Sequence, residues 1–224
     1  MTTTGTLLAI ETSTPCGSLA LVAEDGEVLF SRAFESQRSH NSLLFEPLKE
    51  VLALGYAFSD IIVGIGPGSY TGVRIGISAA IGVSLASNVR VAGVSSLLAL
   101  EAAPASGTYH VIGDARRGSY FHAGIRDWKV TVEAAIFTRE ELIAHLADNT
   151  LPVLSCDASP LPIAAAVTSP SAANLARVAR SQELDFTATI EPIYLRAPYI
   201  TIPNVPNVRM QKAGQPTVGR SKPR

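Results

Sequence analysis

Short apolar runs alternate along this chain with stretches in which apolar residues recur every three or four positions. Runs at 6–10, 17–22 and 28–34 predict three strands, and the Asp25-Gly26 pair favours a hairpin turn between the second and the third. A helix is predicted at 39–54, where Gly55 ends it. Its apolar stripe consists of Leu44, Leu48, Val51 and Leu52.

The stretch at 60–86 is the most distinctive part of the chain. A buried strand at 60–65 leads into a loop in which Gly66 and Gly68 flank Pro67. This spacing requires unusual backbone angles or a close backbone approach. Either Ser69 or Thr71 can cap the helix that follows.

That helix carries two stripes on neighbouring faces. Small residues recur at every fourth position and leave one face almost without side chains: Gly72, Gly76, Ala80 and Ser84. Aliphatic residues form the stripe beside it: Val73, Ile77, Ile81 and Leu85. A helix that is apolar or small over most of its circumference needs a second buried face, so the pattern predicts a close contact beyond the protein's own core.

The pattern then continues and repeats. A strand is predicted at 90–94, a short helix at 95–102 and a linker at 104–107. Strands follow at 109–113, 119–125 and 128–137, then a helix at 138–146, a strand at 151–155 and a helix at 169–181. Two copies of a βββαβα unit predict an α/β fold with the two-lobed architecture of actin, Hsp70 and sugar kinases (ASKHA), its second lobe reduced. The predicted division is 1–105, 106–190 and 191–224, with residues 190–195 returning onto the first lobe as a helix or strand.

Composition and charge narrow the class of protein. The chain has 224 residues, of which 47% are hydrophobic and 17% charged, which suits a compact α/β protein. Cys16 and Cys156 lie far apart and predict reduced thiols. We expect no signal peptide and no membrane span. After Glu191 the chain has six basic residues and no acidic one, which predicts a basic, partly disordered tail that either contacts nucleic acid or is simply solvated.

One group of residues suggests nucleotide chemistry. In actin-like enzymes the first hairpin turn holds phosphates, and an acidic residue beside it organises a hydrated metal. The candidate set is Glu11, Thr12, Ser13, Gly66, Gly68, Ser69 and Asp114. The alternative is that these side chains only satisfy tight turns and close contacts. The four histidines have no metal-type spacing, so no metal site is predicted, and His122 is expected to be a core or cleft histidine. No catalytic residue is predicted.

Several motifs together resemble one protein family. The segment GIGPGSYTGVRIGISAAIGVSLA at 64–86, followed by VAGVSSL, is similar to the signature of the TsaB (YeaZ) family. LLAIETST, SHNSLLFEPL, DARRG at 114–118 and PIYLR at 192–196 support the resemblance, which covers nearly the whole chain.

The resemblance implies a non-catalytic subunit that holds a TsaD-like catalytic subunit in an active dimer, with a TsaE-like ATPase as third component. This complex transfers a threonylcarbamoyl group to adenosine 37 of tRNAs that read codons starting with A, in the cytoplasm. ATP and metal are expected on the partner, since the first helix here offers only His40 where TsaD uses several histidines. A homodimer of the free chain and a nucleotide at the shared interface stay open. The alternatives to this function are an independent actin-like ATPase or small-molecule kinase, and a metallopeptidase, which the histidine count disfavours.

The same resemblance implies where the partner binds. The face is expected on the first helix, at 43–54, and on the glycine loop and the helix that follows it, at 66–85. Its residues are Leu44, Leu48, Val51, Leu52, Gly72, Val73, Gly76, Ile77, Ala80 and Ile81.

Overall fold

The computed structural model of the protein describes residues 5–35 and 40–196. Ten strands and four α-helices follow one another in these ranges, with one 3₁₀ helix between the fifth and the sixth strand. In chain order they are β1 (Leu7–Glu11), β2 (Cys16–Val22), β3 (Val28–Glu35), α1 (His40–Ala53), β4 (Asp60–Gly64), α2 (Tyr70–Ser87), β5 (Arg90–Val94), β6 (Tyr109–Asp114), β7 (Tyr120–Arg126), β8 (Lys129–Phe137), α3 (Arg139–His145), β9 (Val153–Ser155), β10 (Ala166–Val167) and α4 (Ala172–Arg180). The basic tail predicted after residue 191 lies, beyond Arg196, outside the described residues.

The two halves of the chain build sheets with the same topology. The first sheet has the order β3-β2-β1-β4-β5, and the second has the corresponding order β8-β7-β6-β9-β10. In each sheet the first three strands are antiparallel, and the remaining pairs are parallel. The predicted α/β fold with two related units is therefore confirmed.

The second unit lacks one helix. Helix α2 connects β4 to β5 in the first sheet, whereas β9 and β10 are joined without a helix. Within its own sheet the second unit is thus βββαββ, which agrees with the reduced second lobe that the sequence predicted. The helix predicted at 169–181 does exist as α4, but it packs on the first sheet, against β1, β2 and β4.

Alternation along the strands of the first sheet explains its two covered faces. Leu8 and Ile10 of β1 pack with helices α1 and α2, while Leu7 and Ala9 point to the opposite face, where α4 lies. The cluster around α4 continues into the second sheet and includes Tyr109, Val111, Ala123 and Leu154. One hydrophobic core therefore joins both sheets, and the division of the chain into 1–105, 106–190 and 191–224 stays a prediction.

Two smaller expectations are corrected. The helix predicted at 95–102 is only a 3₁₀ helix, Ser96–Leu98. Residues 190–195 form neither a helix nor a strand. This segment does return to the first sheet, as expected, because the backbone N–H of Ile193 donates to the carbonyl of Ile65 at 2.8 Å.

Three histidines that are distant in sequence meet on the second sheet. Nδ1 of His110 on β6 lies 2.8 Å from Nε2 of His122 on β7, and the ring of His145 on α3 is centred 4.8 Å from that of His122. Within the part of the chain that the structure describes, no histidine, cysteine or carboxylate group is arranged to hold a metal ion. His122 is 1% exposed, so it is the core histidine that the sequence predicted. Burial, followed by the nearby His110 and His145, lowers its pKa to about 4.

This lowered pKa predicts acid sensitivity. Unfolded histidine titrates near pH 6.5, so between about pH 6.5 and pH 4 the unfolded chain binds a proton that folded His122 does not. Folding stability is therefore retained above pH 6.5 and lost as pH falls through this window, by about 2 kcal/mol at pH 5. Between pH 7.5 and pH 5, we expect the Tm of His122→Phe to fall by less than the Tm of the wild type. Equal losses in thermal melts would show that the histidine is not responsible.

Candidate functional site

The glycine loop after β4 packs directly on the turn between β1 and β2. The backbone N–H of Ser69 donates to the carbonyl of Ser13 at 2.6 Å. A side chain at Gly68 would overlap that same carbonyl, so the contact requires a residue without Cβ. The N–H of Gly66, which has φ +85° and precedes a cis proline, donates to the hydroxyl of Ser96 at 3.0 Å. The loop is thus held by internal partners on both sides.

Helix α2 begins where this loop ends. The hydroxyl of Ser69 accepts from the N–H of Gly72 at 3.2 Å, which makes Ser69 the N-cap, one of the two residues predicted for that role. The hydroxyl of Thr12 donates to the carbonyl of Gly72 at 2.8 Å. The first turn of the helix is therefore bonded to the hairpin turn between β1 and β2.

Glu11 lies at the centre of this contact and is fully buried. Its Oε1 accepts from the N–H of Ser13 at 2.6 Å, while Oε2 has no hydrogen-bond partner among the described residues. A Cβ at Gly64 would overlap the carboxylate, so this glycine makes room for it. Burial raises the pKa of Glu11, and the hydrogen bonds from Ser13 act in the opposite direction.

The structure brings together six of the seven residues predicted to bind a nucleotide. Asp114 is engaged elsewhere: its N–H donates to Oδ2 of Asp157 at 2.6 Å, and its carboxylate accepts from the N–H of Arg116 at 2.7 Å. Of the other six, Ser13 is bonded to Glu11 and to Ser69. Thr12 and Gly66 are bonded to neighbours outside the set, Gly72 and Ser96. Nucleotide binding by this set stays a prediction, and the contacts themselves favour the alternative that the residues satisfy tight turns.

A buried carboxyl with a raised pKa is costly to ionise, which predicts the effect of Glu11→Gln. Folding is less favourable above the ordinary pKa of glutamate because the folded state resists losing the proton. The amide keeps an oxygen for Ser13 and has no charge. We expect Glu11→Gln to melt at a higher temperature than the wild type at pH 8, with a difference that is larger there than near the ordinary pKa of glutamate. A lower Tm at pH 8 would show that the ionised carboxylate stabilises the fold.

A groove lies between α1 and α2 on the first lobe. It has a volume of about 630 Å³. Its apolar lining comes from Phe45, Leu48, Tyr70, Ile75, Ala79 and Val83. Two large apolar side chains of this lining are exposed to solvent, Phe45 at 47% and Tyr70 at 45%. An exposed apolar surface of this kind is typical of a protein–protein interface.

Comparison with known proteins agrees with this architecture. A family model described as TsaD, tRNA N6-adenosine threonylcarbamoyltransferase, matches residues 34–189. An uncharacterized Mycobacterium tuberculosis protein is 32% identical over 205 residues, covering 86% of this chain and 92% of that protein. The tRNA threonylcarbamoyladenosine biosynthesis protein TsaB of Escherichia coli is 36% identical over 126 residues, covering 52% of this chain and 53% of that protein. The structure of YeaZ from Pseudomonas aeruginosa has 25% sequence identity and a TM-score of 0.67, covering 85% of this chain and all of that one.

This chain belongs to the family that the matching model describes, in its TsaB (YeaZ) group.

The TsaB resemblance led us to expect a partner face, and the structure shows which of its residues are exposed in the free chain. Eight of the ten residues predicted for it are buried in this protein's own core: Leu44, Leu48, Val51, Gly72, Val73, Gly76, Ile77 and Ala80. Only Leu52 and Ile81 are exposed, and Leu48 also lines the groove. The prediction of an open face along the Gly72–Gly76–Ala80 stripe is therefore wrong.

The reason lies in what the stripe contacts. A Cβ at Gly76 would overlap the hydroxyl oxygen of Thr12, so the close approach that the small residues permit is to the hairpin turn. Gly82, which also interrupts α2, faces the groove, where a Cβ would meet nothing within 4 Å. The sequence shows three glycines inside this helix, but it does not show that they lie on two different faces, one against the protein's own core and one at the groove.

Within residues 5–35 and 40–196, no helix combines the length and the hydrophobicity of a membrane-spanning segment.

Proposed function

We propose that this chain is a non-catalytic subunit that binds and activates a TsaD-like catalytic subunit through the groove between α1 and α2. The observation that carries the proposal is this groove, an apolar surface formed by two helices that the sheet does not cover. The match to the TsaD model supports a partner of related fold, in which two such helices could pack against these two.

The family supports the reaction in which the complex takes part. The Escherichia coli relative is named for tRNA threonylcarbamoyladenosine biosynthesis, so a role in that pathway follows for a TsaB-type chain. The finer proposal is transfer of the threonylcarbamoyl group to N6 of adenosine 37, with this chain contacting tRNA through the complex. Such a complex acts in the cytoplasm, with a TsaE-like ATPase as a further component and a homodimer of this chain when it is alone.

The site geometry supports a non-catalytic role. Glu11 and Ser13 are buried at the hairpin turn, and the glycine loop lies on that turn. ATP and metal are proposed to bind to the partner. A nucleotide bound by this chain would lie at the interface that the two subunits share. The runner-up function, an independent actin-like ATPase or kinase, would need Glu11 and Asp114 to act on one ligand.

The test is purification of this chain together with the TsaD-like subunit of the same cell. A one-to-one complex in size-exclusion chromatography, and tRNA modification that depends on both chains, would support the proposal. ATP hydrolysis at enzyme-like rates by this chain alone would favour the runner-up. The absence of any complex at micromolar concentrations would contradict the proposal.

A further inference from the structure

One of the side chains that line the groove between α1 and α2 is positively charged. Arg74 lines the groove, and its guanidinium carbon lies 5.0 Å from the centre of the Tyr70 ring. Its Nη1 donates to the Tyr70 hydroxyl. Among residues 5–35 and 40–196, no carboxylate forms an ion pair with Arg74. A guanidinium has five N–H donors, and Arg74 is exposed, so the donors that are not bonded to Tyr70 are available to a partner.

The position of this guanidinium is set by the C-terminal return segment, residues 190–196. The ring of Tyr194 stacks on that of Tyr70 with centroids 5.1 Å apart and an interplanar angle of 26°. The segment is anchored next to these rings by the hydrogen bond from Ile193 to Ile65. Tyr194, Tyr70 and Arg74 thus form a stack at the mouth of the groove, which we call the tyrosine–arginine stack. Side chains already held in one conformation lose less entropy when a partner binds.

A partner that covers the groove would remove Arg74 from water. Leaving a charged donor without an acceptor in an apolar interface is strongly unfavourable. A carboxylate satisfies a guanidinium with two parallel hydrogen bonds, which also fixes the orientation of the partner. The aliphatic lining, Leu48, Ile75 and Val83 among it, fits a protein helix better than the charged backbone of a nucleic acid.

From this we infer that Arg74 is a specificity-determining residue of the interface, which binds an Asp or Glu on an apolar helix of the TsaD-like partner. Tyr194 is a positioning residue that holds Tyr70 and Arg74 for that contact. The inference rests on the proposed function, since it concerns the same groove. It adds the chemistry by which the partner is recognised.

The experiment measures affinity for the TsaD-like subunit by titration calorimetry at several salt concentrations. Arg74→Met keeps the apolar stem and removes the charge, and should weaken binding at least about tenfold. The dependence of affinity on salt should also become flatter, which loss of packing alone would not cause. Arg74→Glu should weaken binding more, and changing one partner carboxylate to Lys should restore part of it. Tyr194→Ala should weaken binding several-fold, whereas Tyr194→Phe, which keeps the ring, should bind like the wild type.

The results separate this inference from the proposed function. If Arg74→Met keeps wild-type affinity and salt dependence while Gly82→Arg prevents binding, the groove is the interface. The inference that Arg74 determines its specificity is then wrong. If Arg74→Met weakens only the binding of tRNA to the complex, the residue contacts phosphate, which also overturns the inference. If the wild-type chain does not bind the TsaD-like subunit at all, the proposed function itself fails.

Discussion

Gly82→Arg should prevent binding of the TsaD-like subunit while the free chain stays folded. Gly82 is exposed, and a Cβ there meets no atom within 4 Å, so the new side chain has space in the free protein. Arginine is also a better helix former than glycine by roughly 0.5–1 kcal/mol. In the complex, the same side chain would fill the groove and bring a charge into an apolar interface. We expect at least about a hundredfold loss of affinity, and loss of tRNA modification with it.

A matched control isolates the position from the added charge. Ala144 is an exposed residue of α3, on the second lobe, and Ala144→Arg adds the same side chain to a helix far along the chain from α1 and α2. This variant should bind the partner like the wild type. Circular dichroism and thermal melting establish that both variants are folded, and calorimetry measures binding. Normal binding by folded Gly82→Arg would place the interface elsewhere.

Much of the fold could be predicted from local patterns. Short apolar runs and turn signals predicted every strand of the first sheet to within a few residues, because both are local properties of the sequence. The repeated order of three strands, a helix and a strand predicted the duplication that the two sheets show. The helix predicted at 138–146 is present as α3, whose N-cap Thr138 forms a capping box with Glu141.

The position of α4 could not be predicted in the same way. Its apolar residues, Leu175 and Val178 among them, show that the helix has a buried face, but not which sheet covers it. Long-range contacts decide this: the N–H of Ala172 donates to the Ser18 hydroxyl at 2.8 Å, and Arg180 donates to three carbonyls around the first sheet, including Gly5. Sequence order suggested the second lobe because neighbouring elements usually pack together.

The candidate site shows the same limit more sharply. The sequence correctly predicted that α2 carries a small stripe and an aliphatic stripe. The composition of a stripe does not, however, predict which part of the protein packs against it. The sheet and the hairpin turn cover the stripe that contains Gly76, which leaves the face with Arg74 and Gly82 for the groove. A substitution such as Gly76→Arg therefore tests folding rather than partner binding, because no gap exists there to receive a side chain.

The same substitution at two glycines of α2 should thus have opposite effects on stability. Alanine is favoured over glycine inside a helix by roughly 0.8–1 kcal/mol, and this gain applies equally to Gly76→Ala and Gly82→Ala. At position 82 nothing opposes it, so Gly82→Ala should raise Tm by about 2–4 °C. At position 76 the new methyl group would overlap the hydroxyl of Thr12, which is fully buried and hydrogen-bonded to Gly72.

Thr12 has nowhere to move without losing that hydrogen bond, so Gly76→Ala should lower the free energy of unfolding by about 1–3 kcal/mol despite the helix gain. Adding Thr12→Ala to Gly76→Ala removes the overlapping oxygen and should recover part of the loss, although Thr12→Ala alone destabilises the protein. Denaturant unfolding of the four proteins in this cycle measures the coupling between the two positions. If Gly76→Ala stabilises the free chain as Gly82→Ala does, the small stripe faces open space, and the partner face first expected along Gly72, Gly76 and Ala80 would be reinstated.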